Sequence, residues 1–131
     1  MLAEALFSEV SYNFSDDELN TGSLRSDLER YFQLMLAASS TPRYKQASLG
    51  VMIEAQLNPA VAEMLRKGMM QPRRESLLRI LQRGVERGEL SASVNQGVMM
   101  DMLLGSVWYR TLINHAALDD NFIGDLIEAT L

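Results

Sequence analysis

The sequence predicts an all-α domain, a helical bundle of about five to six helices. Three observations carry this. Apolar residues recur at spacings of three and four along most of the chain, the period of helices that bury one face. No stretch alternates apolar and polar residues between turn signals, as a half-buried strand does. Helix starts are also marked directly: Thr41-Pro42 and Asn58-Pro59 each set a capping side chain before a proline at the first helical position, where its missing N–H costs nothing.

Taken in order, "LAEALF" is a short helix or the tail of one that began earlier, and "SYNFSDDELNTG" reads as a linker or loop. Ser23 caps a helix running to about residue 39, with Leu24, Leu28, Tyr31, Phe32, Met35 and Leu36 on its inner face. Thr41 and Asn58 open the next two. The stretch from 59 to 87 contains Pro72, which removes a backbone hydrogen bond and crowds the preceding turn. We read one kinked helix there; the alternative is a second helix starting at Pro72. Gly88 then adopts a left-handed conformation, with Leu90 folding back as the apolar contact of that cap. Ser93 and Gln96 have the spacing of a capping box ahead of the apolar run "VMMDMLLGSVWYRTLI", and Asp119 or Asp120 caps a final helix. There are no internal repeats and no low-complexity tract.

Its 131 residues fit one domain with a sizeable core, and 47% apolar against 22% charged residues is an ordinary globular balance. The net charge of −5 is concentrated early, where Glu4, Glu9, Asp16, Asp17, Glu18, Asp27 and Glu29 face Arg25. Residues 60–90 lean basic, but Glu63, Glu75, Glu86 and Glu89 dilute them. Binding to nucleic acid needs cations against phosphates, so an acidic chain without a basic face is a poor reader of DNA by itself. The absence of cysteine excludes a disulfide scaffold and cysteine-ligated metal. No apolar run is long enough to span a bilayer, and "MLAEALFSEV" carries glutamates without a basic leader. We expect no membrane contact and a cytoplasmic protein.

The run 98–113 poses a problem of coverage. On a helix over 93–115, Val98, Met102, Tyr109 and Ile113 share one flank with Met99 and Ser106; Met100, Leu104, Val107, Trp108, Thr111 and Leu112 share the other. A helix apolar all round is a buried one. It is either the centre of a bundle or packed on its own domain by one flank and on a second copy by the other. Phe122, Ile123, Leu126 and Ile127 give the last helix a broad apolar face too. Two such helices from each of two subunits make a four-helix interface, and two-fold homo-oligomers are common.

Four segments carry a resemblance: "TGSLRSDLERYF", "EAQLNPAVAEMLRKGMMQPRRESLLRILQRGVERGEL", "LLGSVWYRTLI" and "LDDNFIGDLIEATL". Together, over roughly residues 20–131, they resemble the C-terminal regulatory domain of tetracycline-repressor-like (TetR-family) transcription regulators. The resemblance implies an effector-binding and dimerisation domain over 21–131, residues 1–20 being the end of a connecting helix and a linker. It further implies a preceding three-helix DNA-binding domain, of which this sequence shows no pattern. An effector in the C-terminal domain changes the spacing of the two reading heads, and the last two helices form the dimer. The expected partners are thus a second copy, an unknown small-molecule effector, and DNA only through that missing domain.

Methionine is flexible and polarisable, suited to lining cavities for varied apolar ligands, although each one taken singly is more often a core filler. Met35, Met52, Met69 and Met102 are the candidate liners, with Tyr31, Gln56, Trp108 and Tyr109 as polar handles. Leu104, Trp108, Leu112, Phe122, Ile123, Leu126 and Ile127 are the candidate dimer contacts. His115 reads as a helix C-terminal cap rather than a ligand or base. Asp16/Asp17 and Asp119/Asp120 read as turns and caps. Arg73 and Arg74 read as a solvated first turn, available to an effector with an acid group. No nucleophile elbow, phosphate loop or metal spacing is present, so neither catalysis, a metal nor a cofactor is expected. A ligand-free dimerisation module is the alternative function.

Overall fold

The structure, a computed structural model, describes residues 15 and 17–131; the expected helix stub over 1–10 lies outside the described residues. Within these residues the regular structure is helical throughout. Helix α1 spans Leu24–Ala38 and α2 Pro42–Leu57; α3 spans Pro59–Leu65 and passes through a π turn at Arg66–Met70 into α4, Gln71–Glu86. Helices α5, Gln96–Ile113, and α6, Asp120–Thr130, follow. None of them is long and apolar enough to cross a membrane.

Every helix start except that of α4, which continues from the π turn, is fixed by a side chain that accepts an orphan amide. Ser23 accepts from Ser26, Thr41 from Tyr44, Asn58 from Ala60 and Val61, and Asp119 from Phe122. At α5 the cap is Asn95, accepting from Val98, and not Ser93. With the helix beginning at Gln96, that glutamine stands in the first position, too early to reach back as a capping box requires. Ser93 instead bonds Ser91 in the preceding turn, Oγ to Oγ at 2.8 Å.

Pro72 does not divide the chain. Residues 59–86 are helical without a break, and the Gln71 N–H reaches back five residues to the Arg66 carbonyl. That wide turn lengthens the backbone just ahead of a residue that has no N–H to give and whose ring crowds the preceding carbonyl. The helix ends as its sequence predicts. Gly88 takes φ +77°, the Leu90 amide bonds the Gly84 carbonyl at 3.1 Å, and Leu90 packs on the core.

The main core joins α1, α4, α5 and α6 around Leu28, Phe32, Leu77, Ile80, Leu103 and Ile127. Gly84 lets α1 and α4 approach: a Cβ there would sit 3.0 Å from Leu24 Cδ2. A smaller core of Tyr44, Val51, Ala55, Val61 and Met69 holds α2 against α3 and the π turn, with Trp108 of α5 packed on it. Between the two cores a space remains open.

The segment ahead of α1 is more than a linker. Leu19 is buried in the main core, and its carbonyl accepts from Arg83 at 2.7 Å. The buried Asp27 carboxylate accepts from the Thr21 amide at 2.6 Å, the Thr21 hydroxyl at 2.7 Å and the Arg87 guanidinium at 3.0 Å. The Leu24 amide donates to Glu89 at 2.9 Å. This stitches residues 19–27 to the C-terminal end of α4.

Several side chains of α5 are not buried as expected. Leu104 is buried and Trp108 half-buried, both facing the protein's own helices, whereas Met102 and Tyr109, expected inside, are 57% and 56% exposed. Phe122, Ile123 and Ile127, expected at a subunit contact, are buried within the protomer, and Leu126 packs partly buried beside them. The physical reason is the rotation of α5. Asp101 faces α4 and pairs with Arg74 at 2.5 Å, while Arg110 donates to the Ala117 carbonyl at 2.8 Å and lies 4.1 Å over the Phe122 ring. A run apolar on every side gave periodicity no means to set that rotation.

Candidate functional site

The space between the cores is a cavity of about 490 Å³, within the size range of ligand pockets. Met35 and Leu36 of α1, Leu49 of α2, Val107 and Trp108 of α5, and Leu118 of the loop before α6 supply apolar wall. The polar contribution comes from Ser39 at the end of α1, Tyr44, Lys45 and Ser48 of α2, Arg73 of α4, Arg110 and Thr111 of α5, and Asn114 at its C-terminal cap.

Arg73 is not a solvated first turn. Position three of α4 faces inward, and the residue is 6% exposed. One Nη donates to the Tyr44 hydroxyl at 3.1 Å, and the guanidinium carbon lies 5.8 Å from the Trp108 ring centre. Tyr31 supports the same residue from behind, its hydroxyl donating to the Arg73 carbonyl at 2.9 Å. Burial lowers the Arg73 pKa, against the opposing pull of Tyr44 and Tyr31. Burial likewise raises both phenols, with Arg73 opposing, which keeps the tyrosines neutral, and an arginine guanidinium stays charged in proteins.

Three wall hydroxyls direct their protons away from the cavity. Ser39 donates to the Met35 carbonyl at 2.7 Å, Ser48 to Lys45 at 3.0 Å and Thr111 to Val107 at 2.8 Å. Each bond closes a local turn of its own helix, the habit of serine and threonine.

The expected liners do not gather here as a set. Met35 lines the cavity, and Tyr31 stands behind Arg73 without lining it. Met69 is buried in the smaller core; Met52 is half-buried and Gln56 exposed on α2, its amide bonded to the Met52 carbonyl. Trp108, read both as a pocket handle and as a dimer contact, is part of the wall, as is Leu112, expected at the dimer, at its rim. Tyr44 and Ser48 were legible only as two members of a weak inner stripe continuing to Val51 and Ala55. His115 does not cap α5. Asn114 does, in a left-handed conformation with its N–H on the Arg110 carbonyl, and His115 packs on Tyr109 with ring centres 5.0 Å apart.

Outside the cavity α5 presents a second feature. Val98, Met102, Tyr109, Leu112 and Ile113 are 51%, 57%, 56%, 49% and 62% exposed, and their spacing puts them on one stripe with Gly105 between. Single exposed apolar residues are ordinary, whereas here five share one helix face.

Residues 19–130 match the family model described as tetracyclin repressor-like, C-terminal domain. The chain belongs to this family. It is 30% identical over 95 residues to the HTH-type transcriptional regulator YdeS of Bacillus subtilis (strain 168), a match covering 69% of this chain and 48% of that protein. An HTH-type transcriptional regulator of Mycobacterium bovis, Mb1581, is 31% identical over 94 residues, covering 72% of this chain and 46% of its own length. The chain thus spans about half the length of the curated relatives it matches. The crystal structure of the TetR family transcription regulator SCO0332 superposes with a TM-score of 0.80 at 26% identity, covering 96% of this chain and 70% of that one. The tetracyclin repressor-like domain is therefore shown by sequence and by fold together.

Proposed function

We propose that this chain is the effector-binding and dimerising part of a TetR-like transcriptional regulator. It couples a small, largely apolar ligand to the DNA affinity of a helix-turn-helix domain elsewhere in the regulator, in the cytoplasm of a bacterium. One observation carries the reading. Helix α5 has two faces: Val107, Trp108 and Thr111 line the cavity, Val98, Met102 and Tyr109 form an exposed apolar stripe, and Leu112 borders both. A ligand against the first face acts on the position of the second with no intermediary but the helix itself. Such coupling requires only that the ligand prefer one arrangement of the two copies, worth typically about 1–3 kcal/mol. The likeness to HTH-type regulators supports binding rather than catalysis as the task.

Trp108 is the single tryptophan and lines the cavity, so its emission reports occupancy without labelling. Titrating the chain with apolar molecules such as naphthalene and decan-1-ol is expected to shift that emission saturably. The same ligands are expected to raise the melting temperature, since a ligand held only by the native state stabilises it by roughly 2.7 kcal/mol at one hundred times its Kd. Emission unmoved across such a panel would favour the ligand-free dimerisation module instead.

A further inference from the structure

We propose that the cavity is built for an amphipathic anion, an acyl or aryl body ending in a carboxylate, whose charged end is held at Arg73 and Tyr44. This rests on the reading of the cavity as a ligand site and names the chemistry of its occupant.

The wall charges have one sign. Arg73, Lys45 and Arg110 line the cavity, and its lining includes no Asp or Glu among the described residues. Their depths differ. Arg110 is engaged with the Ala117 carbonyl and the Phe122 ring, Lys45 is exposed on α2 at the mouth, and Arg73 is nearly fully buried. An anion entering past Lys45 therefore meets rising positive potential towards Arg73. A guanidinium presents parallel N–H donors whose geometry fits a carboxylate, and such bonds are about twice as strong as neutral ones. Here the fork is held from three sides, by Tyr44, by the Trp108 face and by Tyr31 on its backbone.

The wall hydroxyls sharpen the selectivity. Ser39, Ser48 and Thr111 give their protons to their own helices, so the donors that face a ligand are mainly the cations. A neutral alcohol gains little from such a wall, an ammonium is repelled, and a carboxylate gains most. The rest of the lining, Met35, Leu36, Leu49, Val107, Trp108 and Leu118, fits an apolar body. An effector of this class also places its charge on α4 and its body against α5, the helix that carries the outer stripe.

The test compares three ligands of one chain length on the full 131-residue chain. Sodium decanoate, decan-1-ol and decylamine are titrated while Trp108 emission is followed, with calorimetry for affinity. Decanoate is expected to bind at least roughly tenfold tighter than decan-1-ol, with decylamine weakest. Arg73→Met, which replaces a buried charge by an apolar chain of similar length, is expected to bring decanoate affinity down to that of decan-1-ol measured on the same variant. Arg73→Lys is expected to keep part of it. Equal affinity for decanoate and decan-1-ol would overturn the anion inference and leave the cavity reading standing. Absence of binding by all three would overturn both. A decanoate preference that survives Arg73→Met would overturn the assignment to Arg73. If Arg73→Met does not fold by circular dichroism, the wild-type comparison of decanoate with decan-1-ol decides alone.

Discussion

Asp27→Ala is expected to destabilise the chain by about 3 kcal/mol, measured as a lowered urea midpoint at fixed protein concentration with an unchanged m-value. Asp27 is fully buried, yet it is the acceptor for two groups of Thr21 and for Arg87. Truncation removes a carboxylate but leaves the Thr21 amide without its partner and Arg87 without its buried counter-charge. The loss falls at the low end for a buried pair, because Arg87 keeps Glu89 at 3.1 Å and is 27% exposed. Asp27→Asn is expected to cost less, since one amide oxygen still accepts from Thr21. Residues 19–24 lead into α1, and the same carboxylate ties them to the end of α4.

Met102→Glu is expected to weaken self-association by about a hundredfold, close to 2.7 kcal/mol, without unfolding the protomer. Met102 is 57% exposed on the α5 stripe, so the single chain accommodates a glutamate there at little cost. In an isologous contact the change occurs twice, and each copy buries a carboxylate against apolar surface. Light scattering on an eluting column reads the result as a shift from two chains to one. Phe122→Glu makes the contrast. Phe122 is buried in the main core under the Arg110 guanidinium, so a carboxylate there is expected to destabilise the fold itself rather than the association. The pair separates the stripe from the core, a distinction the apolar pattern of α6 did not offer.

The helices were legible because their ends are chemically marked: Ser23, Thr41, Asn58, Asp119 and Gly88 each occupy the cap their residue type favours. The buried stripe of α1 was legible for the same reason, being apolar at three and four with polar residues between. What stayed hidden needed contacts distant in sequence. Leu19 sits among Asp17, Glu18 and Asn20, so its burial leaves no local trace, and Asp27 looked like one more acidic residue in an acidic stretch. The rotation of α5 was ambiguous because both flanks are apolar; it buries Met99, Met100, Leu103, Leu104 and Val107, and the accompanying Arg74–Asp101 pair joins residues 27 apart. Arg73 was visible as a residue for an acid group, but its burial depends on the π turn ahead of Pro72 and on Tyr44 from another helix. Methionine content pointed towards a cavity, and yet only Met35 among the candidates lines it. Flexible side chains fill cores as readily as they line pockets.

The central claim is that α5 meets a ligand on one face and a second copy of the chain on the other. Sedimentation equilibrium of the wild-type chain tests it most directly, because the outer stripe has to be covered if the helix is to serve both. A mass of two 14.7 kDa chains at micromolar concentration is the expected result. A single 14.7 kDa species persisting to high micromolar concentration would contradict it, leaving the Val98–Met102–Tyr109 stripe in water and the cavity with no partner surface to move.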